Sequence, residues 1–443
     1  MADRTIARVV DLTDPSTQRI PNGSVAQARD SVASGDPRRV LAIPGSFALV
    51  ARDAGSATVR MARSLDRPLR YFLAKQTDGP MLVVAERIDA IRAFLDAEGL
   101  GAQFHPSYTR MVPAHHVVTL ELLGCPDPDA AYTRFLEPEP SDATDLDAIG
   151  RRYVGALADE IALWLTSLPP DAPIGVCFSG GIDSGAVFLT THHLVRRLGV
   201  SPARLKAFTL SAGASTGPDL AQARDFLESL SLGLFLEAIE VPADWIDPLA
   251  AVRVVEDYKP LDVESAAASL ALLRGIRERY PDWRHLADGD GGDENLKDYP
   301  IEENPELTIR SVVNNPFLYQ EGWGVGTFKH SPTYSGGQSR ACTRTYAPAR
   351  RYGFEGFSPF TRPSLVRIAA GLPFAGLAGN DVARLYALKG EIVGRGIRDL
   401  TGLTMPIFPK RRFQHGARAT ATASRPGSPG EPEYRRHFLS LYA

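Results

Sequence analysis

Ile174-Gly175-Val176-Cys177-Phe178-Ser179-Gly180-Gly181-Ile182-Asp183-Ser184 decides how the rest of the chain is read. A short apolar run enters a Ser-Gly-Gly turn, and a helical pattern follows from Gly185 to Leu198. A buried strand feeding a glycine turn and then a helix makes an anion site. The glycines let the backbone close around phosphate oxygens, and the helix start offers unpaired N–H groups. Ser179 and Ser184 add hydroxyl donors. The lysine of a Walker loop is missing. Asp183 instead sets a carboxylate beside the phosphates, which makes sense with a divalent cation between them.

This stretch resembles the SGGxDS pyrophosphate loop of the ATP pyrophosphatases, which cleave ATP between the α- and β-phosphates. All five fixed positions match, in strand–turn–helix context. The plainer alternative is a βα turn that happens to hold glycines and serines.

Length and composition bound the answer. A chain of 443 residues with 44% hydrophobic content suits two domains with sizeable cores. A net charge of −3 disfavours a polyanionic partner, so no nucleic acid is expected. Cys125, Cys177 and Cys342 form neither a disulfide framework nor a zinc spacing. The first residues lack a signal-peptide core and no apolar run nears membrane-spanning length, so a cytoplasmic protein without a membrane partner is expected.

Residues 11–38 are polar and rich in turn formers, and poor order is expected there. From Val40 the pattern turns β. Residues 45–53, 58–63, 69–74 and 80–85 read as short strands, Ile88 to Ala97 as an amphipathic helix, and Val117 to Leu123 as a further strand. Three phrases here, Gly45-Ser46-Phe47-Ala48, Arg67-Pro68-Leu69-Arg70-Tyr71 and Val84-Ala85-Glu86-Arg87-Ile88-Asp89-Ala90-Ile91, resemble the latter half of a class II glutamine amidotransferase domain. That family uses a cysteine directly after the initiator methionine as glutaminase nucleophile. Ala2 stands there, and no cysteine precedes Cys125. The resemblance therefore implies a degenerate, structural amidotransferase fold.

From Thr144 a helical pattern (Ile149 to Leu168) leads into alternating strands and helices: strand 174–178, helix 185–198, strand 205–211, helix 220–230, strand 234–241, helix 263–280, strand 284–287. Such alternation implies a parallel sheet covered on both faces, with ligands beyond the strand carboxyl ends. Residues 300–345 read as a long irregular active-site segment, and helices are expected over 365–378 and 381–400. Residues 417–432 read as a flexible linker.

A second diagnostic stretch, Asp288-Gly289-Asp290-Gly291-Gly292-Asp293-Glu294, gathers four carboxylates around three glycines. Holding them together is costly unless a cation offsets their repulsion. It resembles the Ser-Gly-Glu/Asp-Gly-x-Asp-Glu phrase of asparagine synthetase-like enzymes. Carried over by position, the resemblance makes Asp183 and Asp293 the Mg²⁺ ligands. It makes Ser179, Gly180, Gly181, Asp183, Ser184, Phe208, Leu210 and Gly289 the ATP-binding set. Asp290 then lies near the attacking nitrogen and can take its proton. β-Lactam synthetases carry a tyrosine at that position, paired with a downstream glutamate. Neither is found here, since Ser339-Arg340-Ala341-Cys342-Thr343-Arg344 holds no glutamate.

A third stretch, Lys410-Arg411-Arg412-Phe413-Gln414-His415-Gly416, resembles the Lys-x-x-Phe-x-x-Gly phrase near the end of the same synthetase domain. Lys410 is then the cation for the α-phosphate and the developing oxyanion. Ser358-Pro359-Phe360 with Thr361 reads as structural, as do His192 and His193. Glu256 and Asp257 read either as acceptor-pocket residues or as a solvated loop.

The chain thus resembles an asparagine synthetase/β-lactam synthetase-type ligase. The expected fold class is α/β, with a degenerate Ntn-type β-rich domain over 1–140. An adenine-nucleotide α-hydrolase-like parallel-sheet domain follows over 141–416, then a linker and tail over 417–443. ATP and Mg²⁺ would convert a carboxylate to an acyl-adenylate, and an amine or ammonia would displace AMP. Intramolecular lactam closure and a non-catalytic scaffold stay open as alternatives. Sulfur-inserting and tRNA-modifying pyrophosphatases use the same loop, and the amidotransferase-like segment argues against them. A β-rich domain of this kind can also serve as a homodimer interface.

Overall fold

A computed structural model of the chain describes residues 6, 8–52, 58–75, 80–123, 128–213, 217–298, 308–314, 342, 344–409 and 430–443. The first part contains β1 (Arg8–Asp11), α1 (Val25–Ser34), α2 (Pro37–Leu41), β2 (Ala48–Arg52), β3 (Val59–Arg63), β4 (Arg70–Ala74) and β5 (Met81–Ala85). After these come α3 (Ile88–Ala97), β6 (Arg110–Met111), β7 (His116–Leu123) and β8 (Pro128–Arg134).

These strands form two four-stranded sheets, β1-β5-β4-β6 and β2-β3-β7-β8. Period-2 alternation explains why they stack. In β2, Ala48 and Val50 face Leu82 and Val84 of the other sheet, while Leu49 packs with Ala28 and Val32 of α1. In β5, Met81, Val83 and Ala85 face Ile88, Ile91 and Leu95 of α3. The result is helix, sheet, sheet, helix.

Residues 11–38 are more ordered than expected. Ser24 and Gln27 form a capping box at the start of α1, and Gly35 closes that helix in the left-handed conformation. β1 adds a parallel edge to β5.

The second part contains α4 (Leu146–Ser167), β9 (Ile174–Cys177), α5 (Ile182–Arg197), β10 (Leu205–Ala212), α6 (Pro218–Ser229), β11 (Leu236–Val241), α7 (Pro248–Val255) and α8 (Pro260–Arg279). It continues with β12 (His285–Ala287), α9 (Gly292–Asn295), α10 (Ile309–Asn314), α11 (Tyr346–Arg351), β13 (Glu355–Phe357), α12 (Pro363–Ala370), α13 (Phe374–Ala378), α14 (Val382–Thr401) and α15 (Glu431–Ser440). The strands form one sheet of order β11-β10-β9-β12-β13, every neighbouring pair parallel. The order reverses between β9 and β12. Loops leaving these two strands diverge and open a crevice at the carboxyl edge, the usual ligand position in such sheets.

Helices α4, α5, α6 and α14 cover one face of the sheet. Helices α7 and α8 cover the other, in a core continuous with α3 of the first part. Gly150 of α4 and Gly396 of α14 meet where the helices cross; a Cβ at Gly150 would stand 2.6 Å from the Ile392 carbonyl oxygen. That close crossing brings the start of α14 to the crevice.

The chain end differs from the expected tail. Residues 417–429 lie outside the described residues, but α15 docks, burying Tyr434, Phe438 and Tyr442. Phe438 packs edge-on against Tyr258 at 5.6 Å, and Tyr442 approaches Phe104 at 6.0 Å. Among the described residues no helix is long and apolar enough to cross a membrane.

Candidate active site

The glycine turn joins β9 to α5. Gly180 has φ +71°, and a Cβ there would lie 2.8 Å from the Ala223 backbone nitrogen of α6, so only glycine fits. Gln222 Nε2 donates to the Ser179 carbonyl at 3.3 Å and ties α6 to the turn. Helix α5 begins at Ile182, earlier than the sequence suggests, so Asp183 and Ser184 sit on its first turn. No side chain caps that helix, which leaves its first N–H groups for an anion. Ser179 and Ser184 hydroxyls face each other at 3.2 Å across the turn.

The loop after β12 closes on the same spot. A Cβ at Gly289 would stand 2.7 Å from the Ser184 nitrogen, and one at Gly292 would collide with the Asp183 carboxylate. The glycines thus permit the contact that sets Asp293 beside Asp183. Between these carboxylates lies a cation the motif reading missed. Lys389 of α14 is buried, with Nζ 2.6 Å from Asp183 Oδ2, bonded to Asp293 Oδ1, and 3.4 Å from Asp298 Oδ2.

Burial works against the Lys389 charge, but these carboxylates outweigh it and hold the ammonium well above its usual range. Asp183 is pushed up to about 8 by burial, with Lys389 pulling it back and Asp293 adding to the rise. Asp183 Oδ1 is buried and has no hydrogen-bond partner.

Mg²⁺ fits this donor set. Two facing carboxylates and one orphaned oxygen match an ion that takes one or two carboxylates and completes its shell with phosphate and water. Among the described residues no group of three or more His, Cys, Asp or Glu side chains could hold a metal unaided.

Asp290 occupies the same loop, half-buried. Its Oδ2 accepts from Thr345 Oγ1 at 2.8 Å, and its backbone N–H donates to Asp288 Oδ1 at 2.9 Å. Burial pushes its carboxyl up to about 6; Arg344 and Thr345 oppose the rise, while Glu294 and Asp293 add to it. Burial and Asp290 raise Asp288 well above the carboxylate range, and its Oδ2 accepts from Ser358 at 3.0 Å.

The asparagine synthase family model matches residues 166–345, a segment containing both loops. Over that segment the chain is similar to the asparagine synthase family. Solved structures match as well, two NAD synthetases among them. An NH3-dependent NAD synthetase from Campylobacter jejuni subsp. jejuni NCTC 11168, in complex with nitrate, is 16% identical at TM-score 0.25, over 36% of this chain and 63% of that one. An NAD+ synthetase from Burkholderia pseudomallei is 16% identical at TM-score 0.24, over 56% of this chain and 87% of that one. The chain thus spans under two thirds of the first of these. Likenesses this low say nothing of the chemistry here. No curated protein sequence matches.

Other expected residues lie around these loops. Leu210 is half-buried toward the end of β10. Phe208 does not line the site: its ring is fully buried against Gly175 and packs 5.4 Å from Tyr280 and 5.1 Å from Trp283. The nucleotide contact expected of this stretch is through backbone groups, and the Phe208 carbonyl accepts from the Phe178 N–H at 2.8 Å.

Glu256 forms no solvated loop and no acceptor pocket. It is buried and accepts from the Ile88 and Asp89 N–H groups, both at 2.9 Å, capping α3 from across the molecule. Arg70 and Arg87 pair with it at 3.5 and 3.3 Å. Asp257 caps its own turn through Tyr258 and Lys259 N–H.

Thr361 and Ser358 hold a short turn, and His192 stacks on Phe188 and meets Phe235 edge-on. A cleft of about 410 Å³ lined by His192, His193, Arg196 and Arg197 lies at the far end of α5, about 15 Å along the helix from the turn. Lys410 to Gly416 lie outside the described residues, as does most of the expected irregular segment.

Proposed function

We propose that the chain is an ATP-dependent amide ligase. It adenylates a carboxylate with release of pyrophosphate, then passes the acyl group to an amine or ammonia with release of AMP. The observation that carries this is the convergence of Asp183, Asp293 and Lys389 under an uncapped helix start at the sheet's switch point. The asparagine synthase match over the same loops supports it.

Asp183 and Asp293 would hold Mg²⁺, which when bound would neutralise charge on the departing pyrophosphate. Ser179, Ser184 and the first amides of α5 bind phosphate oxygens around Gly180, Gly181 and Gly289, with Leu210 at the nucleotide's edge. Lys389 keeps the two carboxylates from repelling each other before ATP arrives. Asp290, a carboxyl titrating near 6, is ionised at neutral pH and basic enough to take a proton from the incoming amine. Lys410 carries over from the third motif as the cation at the acyl oxyanion.

The first part of the molecule fits a class II amidotransferase-like fold that has lost its chemistry. Ala2 after Met1 and the lack of a cysteine before Cys125 support a first part without glutaminase chemistry. A ligase that does not use glutamine suits specialised metabolite or antibiotic biosynthesis in the cytoplasm, and the sandwich suits a homodimer interface.

The test is product stoichiometry. With ATP, Mg²⁺, a carboxylate and an amine, AMP, pyrophosphate and amide form in equal amounts. ADP and phosphate in their place would refute adenylation.

A further inference from the structure

We propose that Asp262 is the receptor for a cationic group, an ammonium or guanidinium, on the substrate that enters beside Asp290. This deepens the ligase reading and rests on it for the meaning of the site. Asp262 lies in the first turn of α8. Helix α8 leads into the start of β12, so its own start stands at the carboxyl edge of the sheet, where Asp183, Asp290 and Asp293 gather.

Asp262 is completely buried, yet neither of its carboxylate oxygens has a hydrogen-bond partner. Its cationic neighbour is Arg344, whose Nε stands 3.9 Å from Asp262 Oδ1, too far for a hydrogen bond. The same guanidinium reaches Glu294 Oε1 only at 3.6 Å, and its Nε has no hydrogen-bond partner. The start of a helix favours a negative charge but leaves carboxylate oxygens unsatisfied. A buried acceptor without any hydrogen bond is rare and calls for a reason.

Charge balance supplies one. Among the described residues Asp262, Glu294, Asp290 and Asp293 act on the Arg344 guanidinium. Lys389 is taken up by Asp183, Asp293 and Asp298. A substrate cation placed against Asp262 gives its two oxygens the donors they lack and pairs with its charge. A neutral substrate tail would deepen the desolvation of those charges. The substrate class is therefore one with a non-reacting cation besides the reacting group.

The test is direct binding of two probes to the full chain by calorimetry: 1,4-diaminobutane and 1-aminobutane. The wild type is expected to bind the diamine about tenfold or more tighter, a ratio worth about 1.4 kcal/mol. Asp262→Asn should bring the two affinities together without changing Mg·ATP affinity. Asp262→Glu, which keeps the charge, should retain the preference and covers the case in which the Asn variant does not fold. Equal wild-type affinities, no binding of either amine, or a preference that survives in Asp262→Asn would overturn the assignment. Binding needs no turnover, so a failure of amide formation is seen separately, as absence of AMP and pyrophosphate.

Discussion

Arg63 in the two-sheet half and Asp183 in the parallel-sheet half lie at opposite extremes of polar satisfaction. Arg63 is fully buried and donates to the carbonyls of Val112 at 2.5 Å, Arg67 at 2.8 Å, Leu65 at 3.1 Å and Ser64 at 3.3 Å. Its neighbours Arg67 and Arg70 likewise donate to Thr17 and Glu86 carbonyls, each at 2.5 Å. These guanidinium groups fasten loops. Asp183 leaves a buried oxygen without a donor, and so does Asp262. Arg67 and Arg70 also keep a buried Nε without a partner, so an orphaned atom marks a ligand position only where, as at Asp183, the uncapped helix start and the sheet's crevice lie beside it.

That contrast can be broken by substitution. Asp183→Asn should cut amide formation by a factor on the order of 10²–10³, as expected for loss of a charge-stabilising group, with the melting temperature held. A large drop in melting temperature would make Asp183 a structural residue. Phe438→Ala should cost about 3 kcal/mol in urea unfolding by leaving a cavity among Tyr258, Tyr442 and α7, with activity per folded molecule unchanged. Arg63→Met should cost about 2 kcal/mol by stranding buried carbonyls, again without touching the chemistry. The pH profile is the finest probe. Because burial raises Asp290 to about 6, its base form is lost as pH falls through that value. Amide formation at saturating substrate should decline below about pH 6, and the decline should disappear into a low, flat rate in Asp290→Asn.

Much of the parallel-sheet half could be read directly because its signals are local. The alternation of apolar runs with helical patterns, and glycines beside Asp183 and Asp293, each fit within about ten residues. Residues brought in from far along the chain left no such trace. Lys389 sits in Leu388-Lys389-Gly390-Glu391, which reads as an ordinary helix surface. Its role emerges only when α14 crosses α4 at Gly150 and Gly396. Glu256 looks like part of a loop until it meets the N–H groups of Ile88 and Asp89, well over a hundred positions earlier.

Phe208 is a different case: it lies opposite Cys177, the last residue of β9, with its ring in the core and its carbonyl accepting from the Phe178 N–H. The order in residues 8–41 was legible in principle. Ser24-x-x-Gln27 followed by Gly35 is a helix start and stop, outweighed by the polar composition around it.

The central claim is that the crevice at β9 and β12 activates a carboxylate with ATP. Carboxylate-dependent ATP–pyrophosphate exchange, run across a panel of acids without any nitrogen donor, tests it most directly. The account predicts exchange with a narrow set of acids, lost in Lys410→Ala and Asp293→Asn. Exchange that persists unchanged in both variants would contradict it.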